Sequence, residues 1–171
     1  MLTISEHPIN EQLITYIEQN RHLMTPDHST YSKHRLRAWI GAEAPLLENL
    51  PFKDAPFGYE SLLWRWLANF CKTRLDFIPE VALLHVGGAD CSDPTDKPLD
   101  GKGGDCGIKR HRDASYADYK AVGINLSGEA TFGYQSQNPT QDKWVRETNV
   151  DAPLEHVKMV QGTCVVFNCK N

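Results

Sequence analysis

From residue 80 onward the chain reads as short runs of strand length separated by turn residues, and this pattern limits the fold more than any other feature. The runs are EVALLHV (80–86), CGIKRH (106–111), KAVGINLSG (120–128), ATFGYQ (130–135), KWVRE (143–147), EHVKMV (155–160) and TCVVFN (163–168). They are rich in Val, Ile, Phe and Tyr, and several alternate apolar with polar residues, the period of a half-buried strand. Runs spaced in this way predict an antiparallel sandwich or barrel. The first two are separated by GGADCSDPTDKPLDGKGGD, rich in Gly, Asp and Pro. Connections that long, without structure of their own, are commonly lids or binding segments.

The pattern before residue 80 is different. INEQLITYIEQNRHL places Ile9, Leu13 and Ile17 at helical spacing, with Tyr16 one residue out of step and Glu11, Glu18 and Gln19 on the other face. YESLLWRWLANFCKTRL repeats the pattern with Leu62, Leu63, Trp66, Leu67 and Phe70. Between them, RLRAWIGAEAPLLENLPFKDAPFGY is interrupted by Pro45, Pro51 and Pro56, which predicts turns with a short helix or strand. The 171 residues suit one domain with one core. The expected organisation is a helical and loop support over residues 1–79 and a β core over 80–171.

Charge and composition exclude several classes. With 40% hydrophobic and 23% charged residues the chain is too apolar and too mixed in charge for disorder. A net charge of -4 gives no broad electrostatic reason to bind a nucleic-acid backbone or an anionic membrane, although KRHR at 109–112 is a local basic patch. No apolar run is long enough to span a bilayer, and the opening MLTISEHPINEQ lacks the basic and then apolar segments of a signal peptide. The expectation is a cytoplasmic protein. Five cysteines at irregular spacing argue for buried thiols rather than a disulfide framework, and Cys164 with Cys169 is a single pair, too loose for a zinc site.

The chemistry is concentrated in GIKRHRDASYADYK, residues 107–120, at His111, Arg112 and Asp113. These three residues read as part of a metal site, as a kinase catalytic loop, or as polar residues on a surface turn. A kinase loop requires Asn five residues after the Asp, and that position holds Asp118; the glycine-rich loop and the D-F-G sequence are also lacking. On a strand, residues i and i+2 point the same way, so His111 and Asp113 present an imidazole and a carboxylate to one point. A histidine from a distant strand would complete the 2-His-1-carboxylate triad that holds Fe(II) on one face.

The order ALLHVGGAD, GIKRHRDASYADYKAVGINLSGEATFGYQ, VKMVQGTCVVFNCKN resembles the Fe(II)- and 2-oxoglutarate-dependent dioxygenases over residues 80–171. That family shows a strand, a variable loop, an H-x-D, a strand ending in a small turn like NLSG, and a strand led by Gly. The resemblance implies an α+β, mainly β fold: a double-stranded, jelly-roll-like β-helix core with N-terminal supporting helices. It implies Fe(II) as cofactor, 2-oxoglutarate as co-substrate, and hydroxylation or oxidative demethylation of a protein side chain, nucleobase or small metabolite. His111 and Asp113 become metal ligands. In the family a histidine and then an arginine follow the Gly-led strand, and residue 171 is reached before either. The expectation is therefore a β core incomplete at its C-terminus, with no obvious third ligand.

His156 is the only histidine after Asp113 and so the candidate for that ligand, against a plain sheet-surface histidine. For the co-substrate, His85, Lys120 and Asn125 are the candidates. Against these stand a core histidine, an exposed strand lysine and a turn asparagine. Trp64 and Trp66 read as core, and Lys109 and Arg112 as solvated. The rival functional class is a non-catalytic β-sandwich or barrel binding module, or an inactive relative of the oxygenases, in which His111 and Asp113 only bond to each other. A cupin-like metal barrel is disfavoured because its tight histidine cluster is lacking.

Overall fold

A computed structural model describes residues 2–26, 35–41, 55–87, 120–134 and 155–168. Of these, 45% are in strands and 27% in helices, so the fold is mainly β. The chain divides into two compact units, one formed by Met1–Ile14 with Arg112–Asn171 and the other by Thr15–His111. The first helix, α1 (Glu11–Gln19), crosses that division.

The first unit contains a three-stranded antiparallel sheet of β1 (Leu2–Glu6), β9 (Thr163–Asn168) and β6 (Lys120–Ile124), in the order β1-β9-β6. Thr163, Cys164 and Val165 are consecutive and at most 1% exposed. Successive strand residues face opposite sides, so this end of the central strand is covered on both. A second ladder pairs β7 (Ala130–Tyr134) with β8 (Glu155–Met159). The period of two sets Phe132, Val157 and Met159 on one face and Thr131, His156 and Lys158 on the other. The first face is the inner one, because Met159 is buried and the Phe132 ring lies 5.9 Å from that of Phe167 on β9.

One turn fixes this unit. After β8, Thr163 N–H donates to Val160 O and Val160 N–H to the Thr163 hydroxyl, both at 3.0 Å. Gly162 inside this turn has φ +88, and a Cβ there would collide with the His7 carbonyl. His7 N–H in turn donates to Gly162 O at 3.0 Å, fastening the segment after β1 to the turn.

In the second unit β3 (Arg35–Gly41) is the central strand. β5 (Ala82–Gly87) runs antiparallel along its length, while β2 (Thr25–Pro26) and β4 (Phe57–Gly58) share the other edge, β2 antiparallel and β4 parallel. Leu36, Ala38 and Ile40 are buried on one face; Arg35, Arg37 and Trp39 occupy the other. Where turns with a short helix or strand were expected, residues 35–41 thus form the strand on which the sheet is built.

Helix α2 (Leu62–Arg74) lies against β3 and β4. It begins at Ser61, whose hydroxyl accepts from Trp64 N–H at 3.1 Å. Leu63, Phe70 and Cys71, at i, i+7 and i+8, form its buried stripe. It stops at Asp76, in the left-handed region at φ 48, where the N–H groups of Leu75 and Phe77 both donate to Cys71 O. Gly41 at the end of β3 has φ +92 and sits under the Trp64 and Tyr59 rings, which meet edge to face at 4.7 Å. Trp66 stacks on Phe70 at 4.8 Å. Both tryptophans, expected in the core, are half-buried and pack ring against ring at its edge. Leu62, expected on the apolar face, is 47% exposed.

Candidate metal and co-substrate site

His111 and Asp113 lie outside the described residues, as do Lys109 and Arg112. They follow β5 and precede β6 in sequence. The other candidate residues are all described, and each has a definite local setting.

Asn125 directly follows β6 and holds its surroundings through both backbone and side chain. Its N–H donates to Thr163 O at 2.9 Å, and its carbonyl accepts from Gly162 N–H at 2.8 Å. Its side-chain NH2 donates to Gly128 O at 2.9 Å and to Met159 O at 3.2 Å. Both amide hydrogens are therefore committed to carbonyls, so the atom this side chain offers to another group is the acceptor Oδ1.

Lys120 opens β6 opposite Asn168 on β9, with an exposed side chain. Four residues of strand, Ala121 to Ile124, separate it from Asn125, so the two stand at opposite ends of β6. His156 is exposed on β8 opposite Gly133, on the outer face with Lys158. Next to it in sequence, Glu155 is also exposed and accepts from the Tyr134 hydroxyl at 2.6 Å. This hydrogen bond, helped by burial and by the nearby negative charge, holds the phenol above its usual range. His85 belongs to the second unit: it is exposed on β5, directly opposite Arg37 on β3.

The structure thus joins Asn125 to the ends of β6 and β8, and its strand register sets His85 opposite Arg37, which is not among the candidates the sequence suggests. The signal for Arg37 was the alternation Arg-Leu-Arg-Ala-Trp-Ile, obscured by the prolines that follow it. Among the described residues no three His, Cys, Asp or Glu side chains group as metal ligands, and no helix is long and apolar enough to cross a membrane. Comparison with family models, curated proteins and solved structures finds no match to this chain.

Proposed function

We propose that this chain is an Fe(II)- and 2-oxoglutarate-dependent oxygenase with a double-stranded β-helix core, acting by hydroxylation or oxidative demethylation on a protein side chain, a nucleobase or a small metabolite. The observation that carries the reading is the sequence order around His111-Arg112-Asp113. The motif is followed by β6, the turn at Asn125–Gly128, β7, β8 and the Gly162-led β9, and β9 lies antiparallel beside β6. The mainly antiparallel pairing supports it, because remote strands must lie side by side if distant ligands are to meet.

The donor chemistry fits the metal. A neutral imidazole and a carboxylate are the ligand types of the facial triad, and His111 and Asp113 carry them at a spacing of two. With iron and 2-oxoglutarate bound, the cofactor supplies oxygen activation coupled to decarboxylation of the co-substrate to succinate. The protein's own residues bind and orient. His111 and Asp113 anchor the metal, with His156 as the histidine available after them in sequence. Lys120, exposed at the start of β6, offers an ammonium to a co-substrate carboxylate.

Incubating the protein with Fe(II), 2-oxoglutarate, ascorbate and O2 tests this reading by following succinate in the absence of a primary substrate, since oxygenases of this type turn over slowly when uncoupled. Succinate formation that disappears in Asp113→Ala is the expected result. Its absence at all iron concentrations would favour the non-catalytic binding module.

A further inference from the structure

We propose that the outer face of α2 is a docking surface for an acidic amphipathic helix of a partner protein. The inference uses only α2 and the segments beside it in the second unit, so it stands whether or not the chain is an oxygenase. Leu62, Arg65, Asn69 and Lys72 follow one another at i, i+3, i+7 and i+10, and all four are exposed. They form one stripe on the side of the helix away from Leu63, Phe70 and Cys71. Arg65 and Lys72 stand two turns apart on it, about 10 Å along the axis. Among the described residues neither of these two side chains enters a hydrogen bond or ion pair, and α2 carries no Asp or Glu to neutralise them. On a chain of net charge -4 this face is a local reversal of sign.

The stripe is apolar at one end. Leu62 is 47% exposed, and Tyr59, just before the helix, is 37% exposed. The Tyr59 hydroxyl donates to Glu80 O at 3.1 Å, so the segment carrying Ile78, 78% exposed, returns to this same end. Covering these three side chains supplies affinity through apolar burial, while the cations select carboxylates, speed encounter and fix register. Any partner helix has the same two-turn repeat, so carboxylates at i and i+7 on its surface meet Arg65 and Lys72 together. A nucleic-acid backbone fits less well, because two cations release few counterions from it and the net negative chain repels it.

The test is an NMR titration of the isotopically labelled full chain with two synthetic alanine-based helical peptides. Each carries Glu at i and i+7 with Leu and Ile one turn beyond, at the amino end in one peptide and at the carboxyl end in the other. Saturable shifts at millimolar peptide or below, centred on the amides of α2 and of Tyr59 and Ile78, are expected with at least one. Affinity should fall at least fivefold in Leu62→Asp and in the double variant Arg65→Glu with Lys72→Glu. It should hold in Arg74→Gln, which removes an exposed charge about half a turn round the helix from Arg65. All these positions are exposed, so the variants keep the fold. A peptide with Lys in place of both Glu should ignore the wild type and bind the double variant. A thymidine oligonucleotide and phosphatidylserine vesicles are titrated at the same ionic strength. No saturable response to either peptide, a response that survives the charge reversal, or a tighter response to the oligonucleotide or the vesicles that the double variant loses, would overturn the assignment.

Discussion

The side-chain amide of Asn125 donates to the carbonyl of Met159 at 3.2 Å, across 34 positions of sequence. With its second hydrogen on Gly128 O and its backbone paired to Thr163 and Gly162, this one residue joins the end of β6 to the end of β8 and the start of β9. Removing the amide leaves two carbonyls to find other donors, at about 1 kcal/mol each. Asn125→Ala is expected to cost about 2 kcal/mol, a fall in Tm of roughly 4–8 °C. Asn125→Asp, which sets a carboxylate against two carbonyls, should cost more. Thermal melts of both variants check this, and an unchanged Tm in Asn125→Ala would mean that the side chain does not hold the turns together.

Gly162 and Gly128 separate two effects of a positive φ. Gly128 has φ +70, and among the described residues no atom lies within 4 Å of the Cβ an alanine would carry. Gly162 has φ +88 and the His7 carbonyl in the way. Gly128→Ala should therefore lose only the backbone term, about 1–2 kcal/mol. Gly162→Ala should lose clearly more, because the His7 segment must also move. Urea midpoints of the two variants measure the difference.

The start of α2 rests on Ser61, and its middle on the buried stripe. Ser61→Ala should destabilise by about 1 kcal/mol through loss of the cap to Trp64 N–H. Leu63, 2% exposed, should cost about 2–5 kcal/mol on substitution by Ala. Leu62, its neighbour at 47% exposed, should cost less than about 0.5 kcal/mol. Equal losses at Leu62 and Leu63 would contradict the orientation of the helix.

Cys164 gives a pH dependence of known sign. Burial pushes its thiol up to about 11, above the value of about 8.5 for an unfolded chain. Between those values the folded state holds the proton more tightly than the unfolded state. The contribution is thus fully present below about pH 8.5 and is lost as the pH rises towards 11. Denaturant melts from pH 8 to pH 11 should show a steeper decline in wild type than in Cys164→Ala, with identical declines as the contradicting result.

Much of the local structure is legible in the sequence, and the misses have physical causes. β5, β7, β8 and β9 fall within one residue or two of the runs that predict them, because each carries enough β-branched or aromatic residues to declare itself. β6 starts at the predicted residue and ends at Ile124, four residues before its run does, and the runs at 106–111 and 143–147 lie outside the described residues. α1 and α2 follow the helical spacing, with Leu13, Ile17, Leu63 and Phe70 buried as expected. β1 was missed because Leu-Thr-Ile-Ser-Glu is short and gains its conformation from pairing with β9 at the other end of the chain. β3 was underread because the face opposite Leu36, Ala38 and Ile40 holds two arginines and a tryptophan rather than a simple polar series. The site was legible only as a pattern of residue types. Arg37 opposite His85 depends on register, which no local feature of either strand specifies.

The most direct measurement of the proposed function is an anaerobic Fe(II) titration in the presence of 2-oxoglutarate, read by visible absorption. A weak metal-to-ligand charge-transfer band that saturates at one iron per chain is expected in the wild type, and its loss in both His111→Ala and Asp113→Ala, with far-UV circular dichroism unchanged. A band that persists in both variants, or a wild type that binds no iron, would contradict an iron site at His111 and Asp113.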